Sequence, residues 1–164
     1  MASELGPVLE ALYQGERDRA GELAAEAGSL NVFEAAALGD AERLEELLRD
    51  DSRLAKAPSP DGFTALHYAA FFGSPDAVRA LVAAGADLEA RSTNEEFAPE
   101  ATPLHSAVAA GRMDNAEALL GAGADPNARQ YGGFTPLMEA EQRGDIDLAE
   151  LLIQHGAYAG GGGA

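Results

Sequence analysis

One unit, written several times along the chain, constrains this sequence more than any other feature. Its clearest copy runs from Thr102 to Arg129 and opens Thr-Pro-Leu-His-Ser-Ala. Pro103 suits the first position of a helix, where a missing N–H costs nothing, and the Thr102 hydroxyl stands where it can cap freed donors. Leu104, Ala107 and Val108 fall three and four apart and form one apolar stripe. Gly111 supplies a left-handed residue for the turn back. Ala116, Leu119 and Leu120 repeat the stripe in a second helix closed by Gly123, and Asp125-Pro126-Asn127 has the composition of a tight turn. The unit is helix, turn, helix, extended turn.

Landmarks keep phase across the copies. Thr135-Pro136-Leu137-Met138 follows Thr102-Pro103-Leu104-His105 at the same interval at which Gly156-Ala157 follows Gly123-Ala124. Upstream, Thr64-Ala65-Leu66-His67 precedes Thr102 by a slightly longer interval, and Gly85-Ala86-Asp87 precedes Gly123-Ala124-Asp125 by that same longer interval. A single period with one five-residue insertion satisfies both sets. On these residues the chain resembles the ankyrin-repeat family, whose unit of about 33 residues carries a Thr-Pro-Leu-His-x-Ala signature. The resemblance implies an all-α repeat solenoid of stacked helix-turn-helix repeats with hairpin loops. It also implies binding of a protein partner through the hairpin tips and the concave face of the first helices.

Taken in order, residues 1–7 read as a flexible N-terminus and 8–28 as a shortened helical pair. That pair either leads the array as an atypical cap or stands as an independent helical hairpin. Repeats follow at about 29–60, 61–91, 98–129 and 130–158, with an insertion at 92–97. In the first of them Val32, Ala35 and Ala36 occupy the signature's Leu, Ala and Ala positions, but Leu30 and Phe33 replace Thr and His. Its capping chemistry is therefore expected to be absent and its end easier to fray. In the second, Ala65 stands for the usual proline. In the fourth, Met138 replaces the histidine, and Glu141 stands where a small apolar residue is usual, as expected of a cap facing water. The tail 159–164, four glycines between alanines, is expected to be disordered.

Composition excludes several function classes. The 28 acidic against 11 basic residues give a formal charge of −17, which repels nucleic-acid phosphates and anionic membranes. Without cysteine there is no disulfide, thiol catalysis or cysteine-ligated zinc. No basic-then-apolar leader and no run of about 18 apolar residues is present, so a soluble, cytoplasmic protein is expected; it is also expected to be a monomer. No motif for a catalytic serine, a phosphate loop or a zinc helix occurs, and neither cofactor, metal nor catalysis is expected. The resemblance gives His67 and His105 a structural role, bonding the signature threonine and the neighbouring repeat's backbone. The structural set is then Thr64, His67, Gly73, Thr102, His105, Gly111, Thr135 and Gly144.

The residues left over are the candidates for recognition. Phe63, Phe71, Phe72, Phe97, Tyr131 and Phe134 are expected to form an aromatic row, flanked by Glu95, Glu96 and Arg143. Such a row suits a partner of apolar and basic character. Phe71 and Phe72 have a second role open to them, packing against the neighbouring repeat. The inserted loop between Arg91 and Ala101 is equally open, as a binding loop or as a tolerated lengthening. The other class of function compatible with the charge is an acidic, antitoxin-like inhibitor that blocks a basic nucleic-acid site.

Overall fold

The computed structural model describes residues 4–159. Ten α-helices account for the architecture of these residues: α1 (Pro7–Tyr13), α2 (Arg17–Ala27), α3 (Val32–Leu38), α4 (Ala41–Asp50), α5 (Ala65–Phe72), α6 (Pro75–Ala83), α7 (Pro103–Ala109), α8 (Met113–Gly121), α9 (Pro136–Arg143) and α10 (Ile146–Gln154). The first helices of successive repeats, α3, α5, α7 and α9, pack side by side in one layer. The second helices, α4, α6, α8 and α10, form the other. Between the layers lie the apolar stripes, with Leu66, Leu104 and Leu137 in one and Leu44, Leu81, Leu119 and Leu148 in the other, all buried. Burying each such leucine contributes about 1.5–3 kcal/mol. Among the described residues the protein is an all-helical repeat solenoid without strands.

Alanines at the layer contacts, Ala35, Ala69, Ala107, Ala116 and Ala140, are fully buried and let the short helices approach closely. Gly73 carries this furthest. Its φ of −89° is open to any residue, but an added Cβ would sit 2.3 Å from the Ala36 carbonyl oxygen. It is glycine because two helices meet there. Gly111 and Gly144 differ, with φ of +67° and +69°, the left-handed turn inferred from the sequence.

The expected loss of capping in the first repeat is corrected by the structure. Asn31 caps α3, its Oδ1 accepting from the Phe33 and Glu34 amides at 2.9 Å each, while the Glu34 carboxylate accepts from the Asn31 amide at 3.0 Å. This reciprocal box satisfies the same orphan donors that threonine and histidine serve elsewhere.

The leading pair is α1 and α2. The α1 helix buries Val8, Leu9, Ala11 and Leu12 and packs on α3, whereas α2 buries only Ala20. Leu5, in the segment read as flexible, packs against the core. Residues 1–3 and the glycines of the tail from residue 160 onward lie outside the described residues.

Candidate functional site

Three finger tips close on equivalent backbone bonds: Ser59 N–H to the Phe63 carbonyl at 2.8 Å, Ser92 to Ala101 at 2.9 Å and Gln130 to Phe134 at 2.9 Å. Behind them the signature residues join the repeats. The Thr64 amide and hydroxyl both face His67 Nδ1, at 3.2 and 2.8 Å, so this nitrogen accepts and Nε2–H donates to the Ala101 carbonyl at 2.8 Å. Thr102 and His105 repeat the arrangement, with Nε2 donating to the Phe134 carbonyl at 3.1 Å. Each histidine thereby ties one repeat to the next finger. Burial depresses both imidazoles to pKa values of about 4. Where Met138 replaces the histidine, the Thr135 hydroxyl instead accepts from the Met138 amide at 3.3 Å and caps α9 directly.

Between the fingers and the first-helix layer lies a groove of about 940 Å³. Its floor is uneven. Tyr68, Phe71 and Phe72 of α5 supply bulk, and Ser106 and Ala109 of α7 leave space beside them. One wall is the inserted loop, which is a built structure. Asn94 Oδ1 accepts from the Glu96 and Phe97 amides at 2.9 and 2.6 Å, and Asn94 Nδ2 donates to the Asp61 carbonyl at 2.9 Å. The loop's amide at Thr93 donates to the Gly62 carbonyl at 3.0 Å. Gly62 is required twice over, by a φ of +88° and because a Cβ would lie 2.7 Å from the Asn94 nitrogen. Ala98 and Glu100 hold left-handed conformations, φ +49° and +60°, which few side-chain-bearing residues adopt. The outcome is Phe97 held out at the groove with 69% of its surface exposed.

The leading pair also reaches the groove. The Tyr13 hydroxyl donates to Asp61 Oδ2 at 2.6 Å, and the Tyr68 hydroxyl donates to Asp61 Oδ1 at 2.6 Å, with the Ser59 hydroxyl on the same oxygen. Tyr13 also meets the Phe72 ring edge-on at 5.3 Å between centroids, and Arg17 donates to the Phe72 carbonyl at 2.7 Å. Burial first, and then the bonds to Asp61, push both phenols well above their usual range, so they stay protonated donors at neutral pH. Tyr68 is the hub, within 6.5 Å of the Phe33, Phe63, Phe72 and Tyr13 rings.

The aromatic row of the sequence reading is thus only partly brought together. Phe63, Phe71, Phe72, Phe97 and Glu96 line one groove. Tyr131 and Phe134, on the next finger, lie outside its lining, and so does Glu95 of the inserted loop. Of the two phenylalanines with a dual reading, Phe72 packs partly into the core, while Phe71 stays 39% exposed with its ring edge-on to Phe72 at 4.7 Å. Arg143, expected beside the partner, has a structural task. Its guanidinium donates to the Ala109 carbonyl at 2.7 Å, at the end of α7, where exposed carbonyls and the helix dipole attract a cation. Arg112 does the same for Gly73, at 2.6 Å. Sequence reasoning missed Tyr13, Asp61, Tyr68 and Asn94. It also missed Asn115, a fully buried amide whose Nδ2 donates to the Ala69 and Ala70 carbonyls at 3.2 and 3.0 Å. Among the described residues no cluster of histidine and acid side chains could hold a metal ion, and no helix is long and apolar enough to cross a membrane.

Stacked helical pairs, histidine ties between repeats and projecting fingers define a repeat solenoid of the kind that displays one continuous concave surface. The family model described as ankyrin repeats (3 copies) matches residues 7–92, 32–130 and 92–160, and the chain belongs to the ankyrin-repeat family. The first match begins at Pro7 and so takes in the leading pair. No curated protein matches the chain. Ankyrin repeats are in general protein–protein interaction modules.

Proposed function

We propose that this chain is a non-enzymatic binding module that takes an apolar segment of a partner protein into the groove between α5, α7 and the inserted loop. The observation that carries the reading is the pairing of Phe71 on α5 with Phe97 on the loop, two partly or largely exposed aromatic side chains that line one apolar groove. Large apolar side chains left open on a rigid concave surface lose hydration cost only when something covers them, and aromatic anchors in pockets dominate binding energy. Their supports are also in order. Phe72 stacks against Tyr68 and backs Phe71, and the Asn94 turn fixes the backbone at Phe97, so little freedom is lost on binding.

The test is affinity capture with the wild type and the Phe71→Ala, Phe97→Ala double variant side by side, read by mass spectrometry, with hydrogen exchange on the captured complex. The expected result is a protein retained by the wild type, lost by the variant, and slowing exchange in α5, α7 and the 92–100 loop. Capture of the same proteins by both, with melting curves that coincide, would discard the groove as the binding face.

A further inference from the structure

Resting on the reading of the groove as a protein-binding site, we propose that its occupant is a peptide segment in which an arginine stands between apolar residues, the arginine drawn in by the carboxylates of the lining, Asp61, Glu96 and Glu139. The argument is one of charge complementarity in an apolar setting. Every charged residue that lines the groove is a carboxylate: Asp61 on the Ser59–Phe63 finger, Glu96 on the inserted loop and Glu139 on α9. The two lining histidines, His67 and His105, are spent on backbone carbonyls.

Among the described residues, no ion pair answers these acids. The pairs formed there are Arg19–Glu22, Arg43–Glu46, Arg53–Asp51, Arg79–Asp76 and Arg112–Asp114, and none reaches the groove. Three further guanidinium contacts go to helix ends, Arg17 and Arg112 at the Phe72 and Gly73 carbonyls and Arg143 at the Ala109 carbonyl. Asp61 is instead held by neutral donors, two phenols and a hydroxyl, which fix its position without setting a cation against it.

Carboxylates in one groove with Phe71, Phe72 and Phe97 make a setting that attracts a cation twice, through the charge and through the rings. A guanidinium suits it better than an ammonium. It is planar, weakly hydrated and able to lie on a ring while its fork meets a carboxylate, so less hydration is lost on entering an apolar groove. The apolar neighbours of the arginine follow from the floor, where Ala109 and Ser106 leave a hollow beside the α5 rings. Nucleic acid is the wrong charge for the same surface.

The experiment is selection of a displayed random dodecapeptide library on the full immobilised chain, followed by anisotropy titration of the synthetic selected peptides. Titrations use the wild type, the Phe71→Ala, Phe97→Ala variant and a Glu96→Gln, Glu139→Gln variant. Both pairs lie on the surface of the groove, and none of the four side chains makes a buried hydrogen bond. The expected result is a set of peptides sharing an arginine with apolar neighbours. Affinity should fall about tenfold in the glutamine variant and on replacing the peptide's arginine by glutamine, and more weakly on replacing it by lysine. Peptides that need Phe71 and Phe97 but carry no arginine, or bind the glutamine variant unchanged, would overturn the inference and leave the groove as a binding site. Peptides indifferent to the phenylalanine variant, or no selected peptide at all, would overturn both.

Discussion

Helices α5 and α7 lie side by side, start with the same threonine and histidine device, and bury the same stripe, Leu66 and Ala69 in one, Leu104 and Ala107 in the other. On the concave side they are opposites. Where α5 presents Tyr68, Phe71 and Phe72, the matching positions of the next repeat, in and just after α7, are Ser106, Ala109 and Ala110. The comparison separates two kinds of position within one repeat. Stripe positions meet both layers and have one acceptable size, so they agree between helices. Concave positions such as Phe71 and Ala109 are only partly covered, so their sizes can differ, and the groove exists because a bulky helix stands beside a small one.

The largest test of what the two helices share is acid. Both histidines have folded pKa values of about 4 against about 6.5 unfolded, so the native state binds fewer protons between those values. Their contribution is complete above pH 6.5 and is lost as pH falls toward 4, by about 3 kcal/mol for each. Urea midpoints measured at pH 7 and pH 4.5 should drop steeply for the wild type. A His105→Gln variant, weaker at pH 7, should show roughly half the pH-dependent loss. Equal loss in both would mean that the histidines do not carry it.

The ends of the two helices should respond unequally to the same substitution. Gly73→Ala drives a Cβ into the Ala36 and Ala69 backbone, where nothing flexible can move, and is expected to cost about 3 kcal/mol. Gly111→Ala meets only the end of the Arg143 side chain, at 2.7 Å, and its cost is that of the left-handed backbone, about 1 kcal/mol. Thermal denaturation of the pair checks the order. Exchanging bulk across the concave face costs less than Gly73→Ala. Phe72→Ala should cost about 2 kcal/mol, because the ring supports Tyr13 and Tyr68. Ala109→Phe, which gives α7 the ring that α5 has, should change stability by less than about 0.5 kcal/mol and abolish capture by filling the groove.

Much of this was legible along the chain, for reasons that differ by residue. Thr64, His67, Thr102 and His105 were legible because their bonds are local or lie one repeat away, and a period converts one repeat's geometry into the next. Asn31 and Glu34 were legible in principle as a capping pair at the usual spacing, although a search for threonine alone passes over them. The bond of Arg143 to Ala109 was not legible, because a charged residue at the end of a helix looks the same whether it faces solvent or the preceding repeat's carbonyl. The Tyr13 contact was not legible at all. It skips the first repeat and joins residues far apart in sequence, which a scheme of nearest-neighbour repeats does not anticipate.

By itself, then, the sequence determined the helical pairs, their order and the buried stripe, because periodicity and caps act over a few residues and the repeat fixes what lies beside what. Only the tertiary structure decided which aromatics share a surface. Tyr131 and Phe134 look equivalent to Phe63 and Phe97 in a sequence, but the inserted loop folds back on the Asp61-Gly62 turn through Thr93 and Asn94 and so brings Phe97 to the groove that α5 lines. That closure depends on groups one repeat apart meeting in space. A groove is a relation between surfaces, and no single segment carries it.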